Sequence, residues 1–483
     1  MPLLPLLLAL FALHTFLLMG TGTWSDLAMA GEDFAWALYY VREGVLAVGF
    51  LAYMAFARLR KPHFLASKSA DVADAVLVVL FGACILVLNL SAAPGLRVPA
   101  VLVVAVLVGV SGGMVYERVA LAAHQLASEA GSQGERGCDS ARVLGVVVGG
   151  GGALAVVAQF ALQTGLSIGV LLDVLFAVCF GLVMWLARKI RPTVADVQAA
   201  DGARVGSRDV GRNPEGMGAA SFACMVVAAT CLFALLPFCE AAIRASGSVA
   251  VFYEWHRLFA AVGYAVIGAA AYFGGRPASS AAVLVSALFA VIASVQTAMM
   301  EAGALMAVVF YFVLAAALAW SCIAFMSAAA TSKYPALVAS VGRVLLVLVT
   351  LTEIPIQAAG PLTPTAVLVA SAALLAAVVL SMLRGGFLQG GGTAEGAGQS
   401  IEEPAPSPEE RVRLLAAECG LTDREREVLS ALVLTEDKNQ AIADSLFVSR
   451  RTLQKHISSI YEKTGVTTRV ALVMRVNGES QTR

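Results

Sequence analysis

Between Leu3 and Leu383 the chain repeats one pattern: apolar runs of about twenty residues, separated by short stretches that hold most of the charges. A run of that length without a polar face matches a helix crossing the hydrocarbon core of a bilayer, roughly 30 Å at 1.5 Å per residue. Such runs lie at 3–19, 34–56, 72–92, 98–116, 143–163, 167–187, 218–238, 249–273, 281–299, 303–325, 337–356 and 364–383, and they predict twelve spanning helices. The first has no basic residues before it and many similar runs after it, so it reads as a span rather than a cleaved leader.

After residue 384 the pattern changes. Residues 385–410 read as a linker, "GGFLQGGGTAEGAGQSIEEPAPSP" from Gly385 to Pro408, flexible and then stiffer, with a reach of about 25–30 Å. Ser407 to Glu410 has the spacing of a capping box and opens a short helix carrying Val412, Leu414 and Leu415. From 411 to 483 apolar residues recur with helical period. Thr422 and Glu425 form a second capping box, which starts a helix that buries Val428, Leu429, Leu432 and Val433. The polar run from Thr435 to Lys438 ends it. A short helix from about Asn439 to Leu446 follows, and Phe447-Val448-Ser449 makes a turn whose serine caps a third helix. That helix sets Leu453, Ile457, Ile460 and Tyr461 on one face and Arg450, Arg451, Gln454, Lys455 and Ser458 on the other. Thr468 caps a fourth helix. Two helices joined by a tight turn, the second with a cationic and amide-bearing face, form a helix-turn-helix layout.

The segment "LTDREREVL…IA…VSRRTLQKH…KTGV" resembles the LuxR-type DNA-binding domain, over about an eighth of the chain. The resemblance implies that Gln454, Lys455 and Ser458 reach base edges, that Arg450, Arg451 and Lys463 lie nearer phosphate, and that Val470, Ala471 and Met474 on the last helix make a dimer contact on double-stranded DNA. Two features depart from the family pattern. The turn between the first two helices is one residue longer and lacks the common glycine, and Gln454 and Ser458 stand where many relatives have Lys or Arg. From Leu421 onward ten Lys and Arg face eight Asp and Glu, a weak electrostatic footprint that calls for dimerisation to supply affinity.

Composition adds that the protein is integral to a membrane: 59% of residues are hydrophobic, 14% are charged, and the mean hydropathy is +0.81. A net charge of zero says nothing about nucleic acid, because charges are partitioned between soluble and buried parts. Their positions are informative. Arg58, Arg60, Lys61, Lys68, Arg118, Arg136, Arg142, Arg188, Lys189, Arg191, Arg204, Arg208, Arg212, Arg276, Lys333 and Arg384 fall on one side of the predicted topology, and only Arg97 and Arg244 on the other. By the positive-inside rule both termini then lie in the cytoplasm, and the LuxR-type resemblance implies that the membrane is a bacterial cytoplasmic one. The eight cysteines lie mostly in apolar runs with no CxxC pair and read as small core residues, so no metal or cofactor is expected.

The stretch from Tyr39 aligns with that from Phe252, placing Val48-Gly49-Phe50 on Val262-Gly263-Tyr264. The same offset carries the first span onto the seventh, and this 6+6 repeat resembles the major facilitator architecture. The expected fold is therefore all-α: a polytopic bundle of twelve helices (1–384), a linker, and a four-helix domain (411–483). Ionisable residues inside spans cost roughly 2.5–3.5 kcal/mol each at mid-membrane. Arg42 and Glu43 occupy the repeat positions of His256 and Arg257, near Glu254, and Arg343, Glu353 and Asp173 add to them. With Tyr39 and Tyr40, these residues predict a pocket for an anionic or aromatic small molecule. Two other readings stay open: an ion-pair lock between the halves, and a proton relay. His14 and Asn89 read as satisfied packing residues, and Gly149 to Gly152 as a close helix crossing.

No Ser/His/Asp set, metal-ligand spacing or phosphate loop supports an enzyme, and no soluble sensor module precedes the DNA-binding segment. The sensor is therefore expected in the membrane portion, with output through the helix-turn-helix. The competing reading is a secondary transporter with a regulatory DNA-binding tail.

Overall fold

The computed structural model describes residues 3–28, 35–59, 67–90, 94–132, 139–165, 169–206, 218–245, 255–300, 303–354, 363–388, 411–413, 415–416, 419–435 and 439–476. The chain divides into two compact units, Met1–Ala394 and Glu395–Arg483.

The first unit is built of helices joined by short turns over its described residues. It comprises α1 (Leu3–Ala28), α2 (Ala35–Leu59), α3 (Lys68–Leu90), α4 (Pro94–Ser132), α5 (Ser140–Leu144), which runs through a π-helical stretch (Gly145–Gly150) into α6 (Gly151–Gly165), and α7 (Gly169–Gly206). Then follow α8 (Ala219–Ala245), a 3₁₀ turn (Trp255–Leu258), α9 (Phe259–Met300), α10 (Gly303–Ala329), α11 (Pro335–Thr350) and α12 (Pro364–Arg384). Ten helices among the described residues are long and apolar enough to cross a membrane, where the sequence predicts twelve. The difference lies in two places. Trp255–Ala293 holds two of the expected spans in one helical stretch, broken where Gly275 takes φ 64° and ψ −153° ahead of Pro277. Pro335–Thr350 has 16 residues, fewer than an untilted span needs.

Pairing inside the two halves follows the sequence offset. In the first half α4 packs on α1 and α2, α6 on α1, and α7 on α1 and α3; in the second α10 packs on α8 and α9, α11 on α8, and α12 on α8 and α9. The aligned glycines do the same work in each. A Cβ on Gly49 would lie 2.4 Å from the Val106 carbonyl oxygen of α4, and one on Gly263 would lie 2.3 Å from that of Phe312 on α10. Both positions let two backbones touch, as small residues do between membrane helices. The halves meet where the π-helical stretch and α6 cross α9, and where α11 packs on α2 and α4. At the first seam a Cβ on Gly149 would lie 2.5 Å from Gly268 Cα, so the glycine run permits close packing as expected.

Arg118 corrects the charge assignment. The predicted span ends at residue 116, but α4 continues to Ser132, and Arg118 is buried beside Glu117, which accepts a 2.6 Å hydrogen bond from the Tyr53 hydroxyl. At the end of α12, Gly386 (φ 72°) lets the Phe387 N–H donate to Met382 O at 3.0 Å and its own N–H to Leu383 O at 3.2 Å. The Phe387 ring is buried edge-on to Trp320, with centroids 6.4 Å apart.

The second unit contains α13 (Asp423–Leu434), α14 (Asn439–Ser445), α15 (Arg450–Thr464) and α16 (Arg469–Val476) around its own core of Val412, Leu415, Val428, Leu429, Leu432, Ile442, Leu453, Ile457, Ile460 and Leu472. The helical residues at 411–413 and 415–416 bring Val412 and Leu415 into that core as their spacing predicts, while Leu414 lies outside the described residues.

Candidate functional site

The helix-turn-helix is built from α13 outward. The Thr422 hydroxyl accepts from the Glu425 N–H, and the Glu425 carboxylate accepts from the Thr422 N–H at 2.8 Å, so the predicted capping box is closed. The carboxylate does more. From α15 it also accepts from Ser459 Oγ at 2.6 Å and Lys463 Nζ at 2.7 Å. Glu425 thus fixes the start of α13 to the far end of the recognition helix. Lys463 foremost, then Ser459 and the Thr422 N–H, hold its carboxyl down to about 2 from an ordinary 4.5. Lys463, expected near phosphate, forms this internal pair while 35% of its side chain stays exposed.

The turn between α14 and α15 closes with Phe447 N–H donating to Asp444 O at 3.2 Å and Val448 N–H to Ala443 O at 3.0 Å. This geometry needs a left-handed residue, and Phe447 supplies it at φ 54° with its ring 95% exposed. The Arg424 guanidinium donates to Leu446 O at 2.7 Å and braces the same turn. Ser449 Oγ then accepts from the Thr452 N–H at 3.1 Å, and Gly465 (φ 68°) ends α15.

Between those caps Leu453, Ile457 and Ile460 are buried, while Arg450, Arg451, Gln454, Lys455 and Ser458 are exposed. Arg451, Gln454, Lys455 and Ser458 line one open, shallow surface with Ser459 and Glu462. The fork of Arg451, the amide of Gln454, the ammonium of Lys455 and the hydroxyl of Ser458 offer the donors and acceptors used for phosphates and base edges. Glu462, which the sequence reading passed over, sets an acidic limit at the C-terminal end of that face.

On α16 the outcome is divided. Ala471, expected at a dimer contact, is buried, with Leu472 and Val476 in the core. The side chains of Val470 and Met474 lie outside the described residues. Arg469 was not anticipated: its Nε donates to Leu432 O at 2.8 Å and its guanidinium to Thr435 O, so it caps the C-terminus of α13 from 37 residues away. No local spacing announces such a contact. The turn between α13 and α14, expected to be one residue longer than in the family pattern, falls at residues 436–438, outside those described.

In the membrane unit the structure brings Arg42, Glu43 and Arg343 together. The Arg42 guanidinium lies 2.6 Å from the Glu43 carboxylate and that of Arg343 4.0 Å from it. Tyr40 instead donates to Glu353 at 3.0 Å. His256 is buried with its ring stacked 4.2 Å from Trp255, and Arg257 follows it in the 3₁₀ turn before α9. Glu254 and the side chain of Tyr39 lie outside the described residues. Asn89 is satisfied, its amide donating to Ile85 O at 2.8 Å. His14 is not: it is fully buried, and neither ring nitrogen meets a hydrogen-bond partner among the described residues.

A unit of apolar spanning helices joined in one chain to a helix-turn-helix with an exposed polar recognition face defines a membrane-embedded DNA-binding protein. Residues 420–476 match the family described as bacterial regulatory proteins, luxR family, so the C-terminal unit carries a LuxR-type DNA-binding domain. With the ten apolar helices, the chain is consistent with a membrane-embedded LuxR-type regulator. No curated protein matches the chain.

Proposed function

We propose that the protein is a membrane-anchored one-component transcriptional regulator. The transmembrane unit senses a small molecule, and the LuxR-type domain binds promoter DNA as a homodimer, with both termini on the cytoplasmic side of a bacterial membrane. The observation that carries this reading is the exposed face of α15, Arg450, Arg451, Gln454, Lys455 and Ser458, held by two caps and the Glu425 anchor in the same chain as the membrane helices. Gln454, Lys455 and Ser458 read bases; Arg450 and Arg451 hold phosphates. Control by a ligand requires different affinities for two conformations, and a bundle of two like-paired halves supplies a hinge between them. The test is binding of the C-terminal unit, 395–483, to DNA flanking its own gene across a salt series. A sequence-preferring complex with a steep salt slope is expected, and no preference at any salt, even in an enforced dimer, rejects the reading.

The second reading is a secondary transporter with a regulatory DNA-binding tail. The seam of π-helical stretch, α6 and α9 against that of α2 and α11 favours it, being the arrangement two rocking halves require. Accumulation of a labelled compound in proteoliposomes would separate the two.

A further inference from the structure

Six helices bring polar groups to one place in the membrane unit. Arg343 of α11 lies within electrostatic range of Glu43 on α2, His14 on α1, Tyr116 on α4, Tyr264 on α9 and Cys322 on α10. Tyr116 hydrogen-bonds Cys322 and is the hub of a ring cluster, with centroids 6.0 Å from Phe11, 6.1 Å from His14 and 5.6 Å from Phe50. A side chain on Gly112 would meet the Phe50 ring at 2.4 Å and His14 Nε2 at 2.9 Å, so the glycine is what lets these rings close on α4.

Two members of the cluster are unfinished. The Arg343 Nε is buried without a hydrogen-bond partner among the described residues, and its contact with Glu43 at 4.0 Å is beyond hydrogen-bond reach. His14 is wholly buried, with both ring nitrogens unpartnered among the described residues. An ion-pair lock would engage the guanidinium fork, because buried charge is costly unless its donors are bonded. Arg42 reaches Glu43 through Nη2 at 2.6 Å, whereas Arg343 comes no nearer to that carboxylate than 4.0 Å. A buried guanidinium Nε–H left to donate suits the oxygen of a carboxylate, and the rings of Tyr116 and Tyr264 are among the groups within range of it.

Resting on the sensor reading above, we propose that the molecule sensed is a small aromatic carboxylic acid, its carboxylate taken by Arg343, a second polar group by His14, and its ring by Tyr116, Tyr264 and Phe50. The site lies where both halves contribute, α1, α2 and α4 from one and α9, α10 and α11 from the other. Filling it changes how the halves sit against each other.

Equilibrium dialysis on the full chain in nanodiscs tests this with benzoate, phenylacetate and 3-phenylpropionate, each against its neutral amide. At least one acid is expected to bind saturably, its amide at least about tenfold more weakly. Arg343→Gln is expected to weaken the acid roughly 10- to 100-fold, as loss of a charge-assisted pair does, and His14→Phe severalfold. Arg188→Gln, an exposed residue of α7 paired with Asp71, should leave binding unchanged. Absence of saturable binding by all three acids, amides binding as well as acids, or full affinity in Arg343→Gln overturns the proposal. Should Arg343→Gln fail to fold, His14→Phe and the acid-to-amide ratio decide it. Acid binding without any change in transcription from the native promoter would instead reject the sensor reading and leave the site standing.

Discussion

Glu425 shows how one residue can carry two tasks whose link is invisible in a linear chain. Its first task, the capping box with Thr422, is local and legible from a three-residue spacing. Its second, accepting from Ser459 and Lys463, spans 34 and 38 residues and exists only once α15 has docked. The folded carboxyl is held at about 2 against an ordinary 4.5, so its stabilisation is complete above about pH 4.5 and is lost as pH falls towards 2. Glu425→Gln should lower the stability of the C-terminal unit by about 2–3 kcal/mol at pH 7 and flatten its acid dependence, read by urea melts between pH 7 and 3. Phe447 offers the opposite sign. A phenylalanine at φ 54° with its ring in solvent pays backbone strain without burial, so Phe447→Gly should raise stability by roughly 1 kcal/mol in the same melts. The sequence marks the turn at 446–448 but not that its left-handed position falls on phenylalanine, since glycine is the usual marker there.

At the scale of elements, α15 and the aligned pair α2 and α9 were readable, each from a pattern that burial imposes. Apolar residues at Leu453, Ile457 and Ile460 leave only one face for DNA. Arg451→Ala should weaken binding about equally on all sequences and reduce the salt slope by about 1, whereas Gln454→Ala should relax base preference at one position, both seen in competition titrations. Gly49 and Gly263 stand out as an aligned pair in sequence, and the structure supplies their reason, a backbone carbonyl 2.4 Å and 2.3 Å from where a Cβ would sit. Gly263→Ala should therefore cost about 1–3 kcal/mol of bundle stability, while Gly82→Ala, which meets nothing within 4 Å, should not destabilise; thermal unfolding in detergent distinguishes them. Element ends were less legible. Hydropathy stops α4 at 116, but buried side chains carry it on to Ser132, which is why Arg118 moved from a loop to the interior.

For the whole molecule, the apolar spanning helices and the LuxR-type domain occupy separate compact units, each with its own core. Residues 395–483 expressed alone should bind the same DNA sites as the full chain but leave transcription unresponsive to any added acid, a comparison made with one promoter reporter in cells. By itself the sequence determined the all-helical class, the membrane portion, the LuxR-type segment and the outward face of its recognition helix. Those follow from hydrophobic period, capping spacings and local motif, which act over a few residues. Only the tertiary structure decided that Lys463 is engaged by Glu425, that Arg469 caps α13, that Ala471 is buried, and that His14, read as satisfied, meets no hydrogen-bond partner among the described residues. Each depends on which helices pack together. A buried polar group's partners are set by three-dimensional neighbours that no spacing along the chain encodes.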